Sequence, residues 1–193
     1  MAWPPPRAWK GALRRAAILA VLLAAGCSTV ERAGPARRVI PAQIEIPAQL
    51  AIPAQNADWV LVDKSERTLT LFAGGQAFRT YHAIQFGDAP QGHKRFQGDE
   101  RTPEGRYTIH TRNPNSAYHL SLRISYPNAQ DRAYAAEQGR SPGGDIFIHG
   151  QPNGLRAGRV HGDWTDGCIA VSNAEIEELW ELVADGTPIE IRP

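Results

Sequence analysis

The chain has 193 residues, with 21 Lys and Arg against 20 Asp and Glu, giving a formal net charge of +1. Arg7, Lys10, Arg14 and Arg15 all fall within the first 26 positions, and without that stretch the formal charge moves from +1 to −3. A mildly acidic chain lacks the electrostatic footprint of a nucleic-acid binder, and that class is set aside.

The N-terminal segment reads as an address rather than a fold. The four basic residues are followed by a charge-free apolar run over residues 16–25, and Ala24-Ala25-Gly26 leads into Cys27. About ten apolar residues are too few to span a bilayer, which takes about 20. This end resembles a bacterial lipoprotein signal, with Ala24 where a Leu is usual. The resemblance implies that residues 1–26 are removed and that Cys27 carries a lipid. Ser28, where an Asp would retain the protein in the inner membrane, implies sorting to the inner leaflet of the outer membrane, with the chain in the periplasm. A cut nearby that leaves Cys27 an ordinary thiol is the alternative.

Next comes a tether over residues 27–56. Ile-Pro-Ala-Gln occurs at 40–43, 46–49 and 52–55. A proline in every copy favours extended polyproline-like backbone, which at about 3.1 Å per residue reaches roughly 90 Å. Such a spacer would hold a domain away from a membrane; an edge strand of the domain is the other reading of the repeats. Residues 57–193 remain, a normal size for one domain with its own core.

That domain opens with β signals. Trp59 to Val62 and Thr68 to Phe72 are short and rich in β-branched residues, and Gly74-Gly75 turns the chain into a strand expected over Phe78 to Phe86. Thr102-Pro103-Glu104-Gly105 makes another turn, into Arg106 to Thr111. Tyr118 to Ser125 alternates, and Asp145 to Ile148 is a compact apolar strand that delivers His149-Gly150. A short helix is expected over Ala129 to Gln138. A second is well specified: Ser172-Asn173-Ala174-Glu175 is a capping box, followed by Ile176, Leu179, Trp180 and Val183 at helical spacing. Gly186 and Pro188 stop it, and Ile189 to Ile191 reads as a last strand. The expected architecture is mainly β and mostly antiparallel with one or two peripheral helices, a β-rich α+β domain.

Cys168 is the one cysteine left once Cys27 is assigned to the leader. A lone thiol in an exported protein is either buried as a small hydrophobe or kept for its reactivity. Gly167 before it favours reactivity, by letting a substrate carbonyl come close. A free thiol titrates near 8.5, so a nucleophile needs a base. His149, at the end of a strand, is best placed; His161, seven residues before the thiol in a Gly-containing loop, is the rival. The His and Cys spacing offers no metal site, and no cofactor is expected.

His149, fifteen intervening residues and then Thr165-x-Gly167-Cys168 resembles the signature of the L,D-transpeptidase catalytic domain, the YkuD-type family. The likeness includes Gly92-His93-Lys94, Gly98-Asp99, the Thr102 to Gly105 turn and Ile148-His149-Gly150. It implies a β-sandwich in which Cys168 is the nucleophile, His149 the base and the Gly150 carbonyl its orienter. The N–H of Cys168, with that of Gly167, would stabilise the oxyanion. Thr165, Asp166, Trp164, His161 and Tyr118 would contact substrate, and Lys94, His119, Ser121 and Arg123 are candidate cleft residues by position. The implied reaction is attack on the diaminopimelate carbonyl of a peptidoglycan stem tetrapeptide, loss of D-Ala, and passage of the thioester to an amine, giving a 3-3 cross-link or protein attachment.

Two positions depart from the family pattern. Asp166 stands where a His is typical, and Ala170 where many members carry an Arg that could bind a carboxylate bidentately. An inward Asp166 carboxylate would raise the thiol pKa. Members lacking that Arg include a branch that hydrolyses the bond between peptidoglycan and an attached lipoprotein. A cysteine hydrolase, acting as an L,D-carboxypeptidase or as such an amidase, is therefore the alternative. A non-catalytic wall-binding lipoprotein is the third reading.

Overall fold

A computed structural model describes residues 55–193. The expected signal segment, the expected lipidation site Cys27 and the expected tether up to residue 54 lie outside the described residues. Alternating burial builds the first half of the domain. In β1 (Trp59–Asp63), β2 (Thr68–Ala73) and β8 (Pro188–Arg192), Val60, Val62, Leu69, Leu71, Ile189 and Ile191 turn inward while their neighbours face out. Gly74 and Gly75 both have positive φ, 58° and 77°, as the two-residue turn into β3 (Gln76–His82) requires.

With β4 (Gly105–Ser116), β5 (His119–Ile124), β6 (Phe147–His149) and β7 (Ile169–Ala170), the hydrogen-bonded order is β3-β2-β1-β8-β4-β5-β6-β7. Strand β4 joins the halves, because it is long enough to pair with β8 through its first residues and with β5 through the rest. The inward faces of both halves, with Ile176 and Leu179 of α2 (Asn173–Leu182), form one core. Five strand pairs are antiparallel; β1–β8 and β6–β7 are parallel. The mainly β architecture with two helices is as the sequence predicts.

Three details differ from the sequence reading. The strand expected to run to Phe86 ends at His82, because Ala83 takes a φ of 52° and turns the chain away. Gln85 then exchanges backbone hydrogen bonds of 2.9 and 2.8 Å with Ala170, so the segment that follows this strand bridges to the far end of the sheet. Strand β6 (Phe147–His149) is only three residues, and β7 (Ile169–Ala170) only two. The apolar run of Asp145 to Ile148 announces β6, which starts two residues later and includes His149, whereas β7 is too short for any periodicity to reveal. Helix α2 ends at Leu182, before Gly186, because Val183 takes extended backbone and bridges to Ala57.

The loop between β3 and β4 is anchored by a buried clasp. Glu104 N–H donates to His93 Nδ1 at 2.8 Å, so His93 carries its proton on Nε2 and donates to Asp131 Oδ1 at 3.0 Å. Asp131, in the first turn of α1 (Ala129–Glu137), also accepts from Tyr107 Oη and from Asn128 N–H, closing that helix's capping box. Replacing Asp131 by Ala strands the His93 and Asn128 donors and leaves Tyr107 Oη only the longer 3.2 Å bond to the Glu104 carbonyl. Asp131→Ala is expected to lose about 3 kcal/mol, seen as a lower urea midpoint at unchanged slope; an unchanged midpoint would show that the clasp does not hold the loop.

Candidate active site

Strand register determines which side chains meet. Leu122, Ile148 and Ile169 are paired across β5, β6 and β7 and are buried in the core. One residue along, Asn113, Ser121, His149 and Ala170 form the next cross-strand row. Cys168 lies two positions before Ala170, so the pleat returns its side chain to the His149 face, one step along the strand. Both line a cleft of about 470 Å³ with Ser121, Tyr118, Trp164 and Asp166.

His149 is buried, and its Nδ1 lies 2.7 Å from the Gly150 carbonyl oxygen. A carbonyl only accepts, so Nδ1 carries the proton and Nε2 keeps its lone pair. Burial holds the imidazole below its ordinary range, partly offset by the Gly150 bond. Tyr118 and Trp164 pack around the ring, with centroids 4.6 and 5.6 Å from it.

Cys168 is half-buried, and its Sγ lies 3.6 Å from the Asp145 carbonyl oxygen. Burial pushes the thiol up to about 11; the charge of Asp166 adds to this, while the Phe147 N–H and Lys94 oppose it. The resting pair at neutral pH is therefore thiol and neutral imidazole. Within the loop before the thiol, Thr165 Oγ1 donates to the Cys168 carbonyl at 2.7 Å and accepts from Gly167 N–H at 3.2 Å. The N–H of Cys168 has no acceptor among the described residues. That leaves the Cys168 N–H open to an oxyanion, while the Gly167 N–H is already engaged.

Gly167 has a φ of 115°, and a Cβ there would sit 2.4 Å from the Arg101 carbonyl oxygen. Its missing side chain is thus needed by the Arg101 backbone, a different reason from the substrate access that the sequence reading gives. Asp166 is exposed at the junction with a second, polar lobe of about 760 Å³ that Lys94 and Arg123 help to line. Thr165 borders the main cleft, although its hydroxyl is occupied within the loop. His161 is not brought into the cleft: Gln85 Nε2 binds the carbonyls on either side of it, those of Val160 and Gly162, and leaves the residue exposed. His119 likewise lies outside, paired to Glu177 at 2.6 Å. Ser121 stands directly opposite His149, whereas Asn113 and Asp145 line the cleft without a motif to announce them.

The L,D-transpeptidase catalytic domain family model (YkuD) matches residues 57–191. In Escherichia coli (strain K12), the protein named "Putative L,D-transpeptidase YafK" is 30% identical over 131 residues, covering 65% of this chain and 46% of its own length. The chain thus spans about half the length of the curated relatives it matches. Among solved structures, the helical cell shape determining protein Pgp2 from Campylobacter jejuni is 30% identical with a TM-score of 0.57, over 71% of this chain and 48% of that one. Bd1075 of Bdellovibrio bacteriovorus is 26% identical with a TM-score of 0.50, over 72% and 51%.

Alkylation reads the state of the thiol directly. With Cys168 titrating at about 11, its rate with neutral iodoacetamide is expected to climb steadily from pH 7 to pH 10. Because Asp166 raises the thiol pKa through its charge, Asp166→Asn should react faster than the parent at pH 8. A rate already at its plateau by pH 7 would instead reveal a thiolate–imidazolium pair.

Proposed function

Because the chain belongs to the L,D-transpeptidase catalytic domain family, we propose that it is a peptidoglycan acyltransferase working through a Cys168 thioester. The observation that carries this reading is that His149, with its Nε2 lone pair free, and the Cys168 thiol line one open cleft from the same sheet face. The stem tetrapeptide places the carbonyl of its third residue, diaminopimelate, at Sγ. As the C–S bond forms, the thiol proton passes to His149 Nε2, and the carbonyl oxygen gains charge facing the Cys168 N–H. Collapse breaks the amide bond, and the leaving D-Ala nitrogen takes the proton back. An acceptor amine then attacks the thioester and gives its proton to His149, and the sulfur leaves as the thiol.

Both groups start neutral, which suits a buried site. No separated charges have to be stabilised in the resting enzyme, and proton transfer accompanies attack. By this proposal the chain is held in the periplasm by a lipid on Cys27, at the inner leaflet of the outer membrane, with the repeats spanning toward the wall. Its partners are stem peptides and a wall-attached lipoprotein. Pgp2 is named for determining helical cell shape, and a role in cell shape is the corresponding proposal here.

Hydrolysis is a second reading with its own support. Among the described residues no Lys or Arg lines the main cleft, and the position that holds an Arg in many family members is the buried Ala170. In the adjoining lobe Arg123 is paired with Asp145 at 2.7 Å and Lys94 with Asp99 at 2.9 Å. A free substrate carboxylate thus finds no unpaired cation among the described residues of either lobe to bind bidentately, and a donor without one suits this cleft equally.

The full-length chain, incubated with tetrapeptide-rich sacculi bearing lipoprotein, is expected to yield 3-3 dimers and free D-Ala by mass spectrometry. Cys168→Ala should abolish the product, and His149→Ala should leave about 1% or less of the rate. Freed lipoprotein or trimmed monomers without dimers would move the chain to the hydrolase reading. Sacculi unchanged from the Cys168→Ala control would favour a wall-binding role.

A further inference from the structure

The carbonyl that orients His149 is itself held from behind. Gly150 C=O and Gln151 N–H belong to one planar trans peptide, so they point in opposite directions and turn together. On one side the oxygen faces His149 Nδ1 at 2.7 Å. On the other, Gln151 N–H donates to Asn173 Oδ1 at 2.8 Å. Asn173 is the first residue of α2, directly after the N-cap Ser172, whose reciprocal bonds with Glu175 fix that turn.

The approach is tight enough to demand glycine. A Cβ on Gly150 would lie 2.7 Å from Asn173 Oδ1 and 3.0 Å from both Ile176 Cγ2 and the Tyr118 carbonyl oxygen. The next residue is equally fixed: Gln151 is 1% exposed, and its amide donates to Val171 O at 2.8 Å and Gln85 Oε1 at 3.1 Å while accepting from Val160 N–H at 2.9 Å. The Gly150–Gln151 peptide therefore has little freedom to rotate while Asn173 holds its N–H.

We infer that Asn173 is a positioning residue for the proposed acyl transfer: by holding the Gln151 N–H it aims the Gly150 carbonyl at His149 Nδ1 and so keeps Nε2 as the proton acceptor. The role rests on the functional reading above, but the tautomer it predicts is a property of the free protein. Asn173 is hydrogen-bonded to neither thiol nor imidazole and acts through the Gly150–Gln151 peptide, which lies between its amide and the His149 ring.

Ring ¹⁵N shifts of His149 in the full-length chain, assigned by their loss in His149→Gln, test this with kcat and KM on the tetrapeptide donor. The parent should show a single tautomer protonated at Nδ1. Asn173→Ala should show a mixture of tautomers, with kcat lower by about tenfold to a hundredfold and KM within about twofold. Asn173→Asp keeps an acceptor oxygen and should restore both the single tautomer and most of kcat. Should the Ala variant not fold, Asn173→Ser, too short to reach the Gln151 N–H, takes its place. An unchanged tautomer in the Ala or Ser variant overturns the inference, as does a loss of activity that the Asp variant fails to restore. If the parent neither transfers nor hydrolyses stem peptide, the functional reading fails and the tautomer comparison alone decides the positioning role.

Discussion

Everything at the site depends on one short parallel pairing, β6 with β7. Two residues of one strand face two of the other, at Ile148 with Ile169 and at His149 with Ala170. Strands so brief are not stable alone, and this pair is held from both sides. Strand β5 pairs with β6, and Gln85, after leaving β3, pairs with Ala170 of β7. The pairing of Ile148 and Ile169 in the core sets the register, and the pleat then commits His149 and Cys168 to the opposite face. A one-residue slip of either strand would send its own functional side chain into the core, so the apolar residues secure the catalytic pair as much as the fold.

Around His149 the protein uses neutral groups. Amides of Gln85, Gln151 and Asn173, together with backbone carbonyls, satisfy one another behind the imidazole. Ion pairs are kept further out, as in Arg67 with Asp163 and Arg159 with Glu175. These two salt bridges fasten the loop of residues 151–164, which ends in Trp164 against the imidazole ring. A carboxylate beside His149 would favour the imidazolium, whereas a carbonyl partner orients the ring with little pull on its proton. The thiol then gains nucleophilicity only when its proton can leave for Nε2.

Asp166 works against that economy, since its charge disfavours the thiolate. The half-buried sulfur already sits high through burial, and the Phe147 N–H supplies a local counterweight. The carboxylate at the junction of two cleft lobes thus opposes ionisation of the nucleophile rather than activating it.

Much of this protein is written in local patterns along the chain. Period-two burial in Val60, Val62, Leu69 and Leu71, the glycine turn at 74–75 and the Ser172 capping box are local signals, and each became the element expected. His149 and Gly167-Cys168 were legible because the family pattern fixes their spacing along the chain. Other features had no local signature. The turn at Ala83 that carries the chain across to β7, the two-residue β7 itself and the exposure of His161 follow from contacts between segments far apart in sequence. Gly167 looked like an opening for substrate until the Arg101 backbone proved to occupy the space beside it. Asn173 read simply as a residue in a capped turn, and only packing α2 against the end of β6 put its amide behind the Gly150 peptide. Propensity and periodicity act over a few neighbours and so are written in the chain; which carbonyl faces which N–H across the core is decided when the layers come together.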